Sequence, residues 1–160
     1  MYGFDTVFVP GSYKVFAPAR ALYFCIAMNL KDASILVIDD DPDVLTAARL
    51  LLKTYAAEVV TEKNPENLRS IFLKRDFDLV LMDMNFNSSI NTGNEGLYWL
   101  KKIKELGSKA LVIMITAYGD IDLAVRSLKE GAADFILKPW HNEQLIGHIR
   151  DLLKNVSSGK

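Results

Sequence analysis

Residues 34–52 read SILVIDDDPDVLTAARLLL, and the change of pattern inside this stretch decides the fold class. Ile35 to Ile38 are an unbroken apolar run rich in β-branched side chains, as expected of a strand covered on both faces. Three carboxylates follow, and then the period changes: Val44, Leu45, Ala48 and Leu52 fall on one helical stripe. Asp41 is placed to cap that helix, because a side-chain oxygen there satisfies one of its open amides. Pro42 suits the first helical position, where a missing N–H costs nothing. A strand passing directly into an amphipathic helix is the unit from which parallel sheets are built.

The unit recurs along the chain. Apolar runs at 57–60, 79–82, 111–115 and 135–137 alternate with helical patterns. Asn64 and Pro65 repeat the cap and proline ahead of a second helix with Leu68, Ile71 and Phe72 on one face. A third helix begins near Glu95, carries Trp99, Leu100, Ile103 and Leu106, and stops at Gly107. A fourth runs from about Asp120 to Gly131 and is expected to bury Ile121, Ala124, Val125 and Leu128. A fifth, after Asn142, aligns Leu145, Ile146, Ile149, Leu152 and Leu153. Five such units with right-handed crossovers predict an α/β fold, a doubly wound five-stranded parallel sheet with helices on both faces. Periodicity alone leaves the strand order open.

Composition narrows the function classes. The 160 residues, half of them hydrophobic, suit one domain with its own core. With 19 basic and 20 acidic residues and a net charge of -1, no electrostatic case exists for direct nucleic-acid binding or for an anionic membrane. The lone Cys25 excludes an internal disulfide. Residues 1–32 are aromatic-rich and poor in charge, and read as an N-terminal extension with Met28 as the natural first residue. The longest uncharged run near the join, 21–30, has ten residues, against the ~20 needed to cross a bilayer. No membrane association is expected. Residues 156–160 read as a linker stub.

In an open α/β sheet, ligands bind beyond the carboxyl ends of the strands, and the acids stand there. Asp39, Asp40 and Asp41 follow the first run and Asp83 the third. Asp41 has its capping role, but Asp39 and Asp40 beside Asp83 would repel it. At ~4 Å and an effective dielectric near 20, each such contact costs about 4 kcal/mol. A divalent cation is the simplest compensation, and hard oxygen donors select magnesium, manganese or calcium over zinc. Thr116 ends the fourth run and Lys138 the fifth, on the same rim. A hydroxyl and a cation facing a metal-bound carboxylate are what phosphoryl transfer requires, because catalysis there is positioning and charge neutralisation.

The quartet Ile-Asp-Asp-Asp at 38–41, Leu-Met-Asp at 81–83, Ile-Thr-Ala at 115–117 and Leu-Lys-Pro at 137–139 resembles the receiver domains of bacterial response regulators in two-component systems, over about residues 33–155. The resemblance implies a flavodoxin-like (βα)5 fold with strand order 2-1-3-4-5. It implies that Asp83 accepts a phosphoryl group from a sensor histidine kinase. Magnesium, with manganese as an alternative, is implied on Asp40, the Asp83 carboxylate and the backbone carbonyl of Asn85, with Asp39 acting mostly through water. The resemblance further implies that Lys138 neutralises the transferring oxygens and that Thr116 and Phe135 act as the switch that reshapes the surface of the fourth helix, fifth strand and fifth helix. The bond from Lys138 to Pro139 is expected cis. A cytoplasmic location follows, and the resemblance admits an output domain beyond residue 160 and a homodimer on phosphorylation.

One departure concerns residues 84–94, an eleven-residue polar segment without proline, where receivers usually have a short loop with a Met-Pro pair. The pattern resembles receivers of the nitrogen-regulator (NtrC-like) type. Two other functions compete. A haloacid-dehalogenase-like phosphatase also uses a strand-end aspartate with magnesium, but wants a second aspartate two residues on, where this chain has Asn85. A phosphorylation-independent pseudo-receiver predicts loss of acidic or lysine positions, and the set is complete.

Overall fold

The computed structural model describes residues 30–86, 94–117 and 121–157. Readings made for residues 1–29, for most of the polar segment and for the final three residues lie outside them. The elements are β1 (Ser34–Ile38), α1 (Pro42–Leu52), β2 (Glu58–Glu62), a 3-10 turn (Pro65–Asn67) running into α2 (Leu68–Phe72), β3 (Leu79–Asp83), α3 (Asn94–Glu105), β4 (Leu111–Ala117), α4 (Ile121–Lys129), β5 (Asp134–Lys138) and α5 (Asn142–Ser157). All strand pairs are parallel, in the order β2-β1-β3-β4-β5. The doubly wound five-stranded sheet and the 2-1-3-4-5 order are therefore as expected.

Period-two alternation along each central strand divides the core into two layers. Ile35, Val37, Leu79, Leu81, Ile113 and Ile115 face one way, against Ala48 and Leu52 of α1 and Leu145, Ile146 and Ile149 of α5. Leu36, Ile38, Val80, Met82, Val112 and Met114 face the other, against Leu68 of α2 and Leu97, Leu100 and Ile103 of α3. β3, at the centre, is buried at every position, which is why its sequence shows no polar alternation.

The helix starts form for the reasons read from the sequence. The Asp41 side chain accepts the Asp43 N–H at 2.9 Å and Asn64 accepts the Glu66 N–H at 3.0 Å. Gly107 closes α3 with φ of +75°, a conformation in which a β-carbon is strained.

Two expectations need correction. The second helix is not a single regular element: its first turn is 3-10 and only Leu68–Phe72 is α-helical. The fourth helix buries Ala124 as expected but is turned so that the other three residues of the expected face are exposed. Ile121, Val125 and Leu128 are 60%, 42% and 40% exposed, while Ala124 and Ser127 are fully buried and Leu123 packs on the second layer. A serine can be hidden there because its hydroxyl donates to the Ala124 carbonyl at 2.6 Å, so burial leaves no unsatisfied polar group. No helix among the described residues is long and apolar enough to cross a membrane.

The start of α3 is pressed against the end of β3. A β-carbon on Gly96 would lie 2.7 Å from the Met84 α-carbon and 2.8 Å from its carbonyl oxygen, and the Gly96 N–H donates to that oxygen at 3.0 Å. Backbone cannot move aside as a flexible side chain can. Gly96→Ala is therefore expected to lower stability by about 1–3 kcal/mol, read as a lower urea midpoint with an unchanged slope.

Candidate functional site

A parallel sheet sends every strand's carboxyl end to one rim. Asp83 closes β3 opposite Ile115, and Lys138 closes β5 opposite Ala117. Asp39 continues β1, its N–H donating to the Glu62 carbonyl at 3.2 Å. Residues separated by up to 99 positions thereby line one cavity of about 400 Å³, formed by Asp39, Asp40, Asp41, Asp83, Asn85, Ala117 and Lys138.

Asp39 is fully buried, and both its oxygens are engaged. Oδ1 accepts the Asp41 N–H at 2.9 Å, and Oδ2 accepts from Lys138 Nζ at 2.6 Å. The same ammonium lies 3.1 Å from Asp83 Oδ1, so one cation bridges two buried carboxylates. Met84 contributes the remaining anchor. Its N–H donates both to Asp83 Oδ1 at 2.9 Å and to the Ile115 carbonyl at 2.8 Å.

Charge at the site is unbalanced. Asp39, Asp40 and Asp83 each offer a carboxylate oxygen, all within 4.8 Å of one another, against one ammonium among the described residues, that of Lys138. Burial raises Asp83 from 3.8 to about 6, with Asp39 adding to the rise and Lys138 opposing it. Burial and then the Asp39 charge also raise Asp40, again against Lys138. Burial works against the charged form of Lys138, but Asp39 and Asp83 outweigh it and hold the ammonium above its usual value. Three oxygen donors with surplus negative charge fit a small, hard divalent cation, and do not fit a soft metal that prefers sulfur or imidazole.

Of the residues singled out in the sequence, Asp39, Asp40, Asp83, Asn85 and Lys138 meet at the cavity. Thr116 and Phe135 do not line it. Thr116 sits behind the rim, fully buried, with its hydroxyl unpartnered among the described residues, a costly arrangement unless an incoming acceptor satisfies it. Phe135 is half-buried and packs on the second layer, as does Leu123. The Lys138–Pro139 bond is cis.

Two residues escaped the sequence reading. Gly96 makes the close approach described above, and Glu95 accepts the Phe86 N–H at 3.3 Å through Oε2. A glycine in an early helical turn was the only available hint. Glu95 there looks like any acid favoured by the helix dipole.

Comparison with known proteins gives one consistent answer. The family model described as "Response regulator receiver domain" matches residues 35–150. The chain is 31% identical to the response regulator protein PilR of Pseudomonas aeruginosa over 118 residues, covering 74% of this chain and 24% of PilR. It is 31% identical to TmoT of Ectopseudomonas mendocina over 127 residues, covering 79% and 56%. The chain thus spans about a quarter to just over half of these curated relatives. Among solved structures, the N-terminal signal receiver domain of a two-component response regulator from Bacteroides fragilis is 43% identical with a TM-score of 0.68, covering 76% of this chain and 97% of that one. The receiver domain of NtrX from Brucella abortus is 29% identical with a TM-score of 0.68, covering 76% and 98%. The expected likeness to nitrogen-regulator-type receivers is found in such relatives.

Proposed function

The chain belongs to the response regulator receiver domain family, and from that premise we propose that Asp83 accepts a phosphoryl group from a sensor histidine kinase and passes the change to the surface of α4, β5 and α5. The observation that carries this reading is the single Lys138 ammonium bridging Asp39 and Asp83 while Asp40 adds a third carboxylate to the cluster. That arrangement leaves excess negative charge at the place where phosphate oxygens would arrive.

In the transfer, an Asp83 carboxylate oxygen attacks phosphorus in line with the bond to the kinase imidazole nitrogen. The O–P bond forms, the P–N bond breaks, and the electron pair stays on the imidazole, giving an acyl phosphate on Asp83. Lys138 supplies positive charge to the transferring oxygens, which spread negative charge in the transition state. Asp39 holds that ammonium in place, its second oxygen fixed by the Asp41 amide. Magnesium, or manganese in its stead, would be held by Asp40, Asp83 and the Asn85 carbonyl, with Asp39 nearby, and would supply further neutralisation of the phosphoryl oxygens.

The buried Thr116 hydroxyl, without a partner among the described residues, supports a role as donor to the bound phosphoryl group. Half-buried Phe135, packed on the layer that Leu123 of α4 joins, supports a role in relaying the change outward. A downstream output domain, a homodimer on phosphorylation and a cytoplasmic setting complete the proposal.

Intact mass spectrometry tests it. With acetyl phosphate as small phosphodonor, wild-type protein is expected to gain the mass of one phosphoryl group with magnesium present and none with EDTA. An unchanged mass despite demonstrated metal binding would overturn the reading in favour of a phosphorylation-independent module. Asp40→Ala is expected to weaken magnesium binding and phosphorylation together, by about tenfold or more. Calorimetric titration giving the wild-type affinity would remove Asp40 from the ligand set.

A further inference from the structure

We propose that Glu95 is a positioning residue: by accepting the Phe86 amide it sets the direction of the Asn85 carbonyl, and thereby the strength of the divalent-cation site. The inference rests on the reading above that this carbonyl is a ligand, and adds the device that aims it.

The tripeptide Met84–Phe86 leaves β3 directly after Asp83 and is gripped twice from the first turn of α3. Gly96 donates its N–H to the Met84 carbonyl at 3.0 Å, and Glu95 Oε2 accepts the Phe86 N–H at 3.3 Å. Met84 and Phe86 are themselves buried, at 0% and 8% exposure, so neither flank of Asn85 is slack. The carbonyl of Asn85 and the N–H of Phe86 belong to one peptide group. Lys138–Pro139 is the cis bond among the described residues, so this group is trans, and a trans peptide carries its C=O and N–H on opposite sides of one plane. Drawing the N–H toward α3 therefore turns the carbonyl away from α3. Asn85 lines the cavity with Asp39, Asp40 and Asp83. Donation to a carboxylate also polarises the peptide and makes its carbonyl a stronger oxygen donor.

A plain structural role makes a different forecast. An acid in the first turn of a helix stabilises it through the helix dipole whether or not it reaches Phe86. Length and charge can be separated by substitution. Glu95→Gln keeps an acceptor oxygen at the same reach without the charge, and Glu95→Asp keeps the charge but withdraws the reach.

The test uses the full chain titrated with magnesium chloride by calorimetry, a thermal melt in metal-free buffer, and amide exchange at Phe86 by NMR. Glu95→Ala and Glu95→Asp are expected to bind magnesium about tenfold more weakly and to exchange the Phe86 amide faster, with little change in melting temperature. Glu95→Gln should keep most of the affinity and the protection. Wild-type affinity in Glu95→Asp, or affinity in Glu95→Gln as low as in Glu95→Ala, overturns the proposal. If Glu95→Ala folds poorly, the Gln and Asp variants decide it between them. Wild-type protein that binds no magnesium defeats the underlying reading as well. Wild-type affinity in all Glu95 variants, with binding lost in Asp40→Ala, defeats the Glu95 inference alone.

Discussion

Asp83→Asn is expected to gain no mass from acetyl phosphate and magnesium, and in metal-free buffer at about pH 7 to melt above the wild-type chain. The first effect is complete because the nucleophilic oxygen is gone. The second follows from the charge at the site. The Asp83 carboxyl is raised from 3.8 to about 6, chiefly by burial, so the folded chain binds that proton more tightly than the unfolded chain does. Stability contributed by the protonated form is full below the ordinary value and is lost as pH rises from about 4 to about 6. Above that window the ionised group costs about 2–3 kcal/mol. Asparagine keeps an acceptor for the Met84 amide and carries no charge, so the variant escapes the cost. A rise on the order of 10 °C is expected at neutral pH, shrinking toward zero near pH 4, and added magnesium should close the gap by stabilising the wild type. Equal melting temperatures across the whole range would contradict the account of charge strain given for the cluster.

Lys138→Met runs the other way. Asp39 is wholly buried, with Lys138 and the Asp41 amide as its partners. Removing the ammonium leaves Asp39 and Asp83 facing one another without a cation. Breaking a buried pair by deleting one partner typically costs about 3–5 kcal/mol, and a urea titration in metal-free buffer should register a loss of that order together with loss of phosphoryl transfer. The companion variant Lys138→Met with Asp39→Asn should recover much of the stability and none of the transfer. Recovery of neither would mean that the lysine's aliphatic stem, rather than its charge, is what the fold requires.

The strands were legible because β1, β3 and β4 lie between two helical layers and must be apolar at nearly every position, a pattern no amphipathic element imitates. The caps at Asp41 and Asn64 were legible because capping is local. α4 departs from its expected face, apart from Ala124, for an equally physical reason: Ile121, Ala124, Val125 and Leu128 form a better apolar stripe than Leu123, Ala124 and Ser127, and hydropathy cannot foresee that a serine will satisfy itself on its own helix. The short 3-10 entry to α2 was hidden because Pro65 suits either type of first turn. At the site, the acids and Lys138 could be grouped in advance because strand ends converge in any parallel sheet. Glu95 and Gly96 could not, since their contacts depend on where the chain returns after residue 86.

The amide of Met84 has one hydrogen and two claimants, the Asp83 side chain and the Ile115 carbonyl. Any newcomer that draws the Asp83 oxygen aside tightens that amide's hold on β4, and one that pushes the oxygen closer loosens it. The peptide group that feels this tug continues directly into Thr116. A balance beam therefore joins the acidic pocket to the hidden hydroxyl through the main chain, with Met84 as its fulcrum.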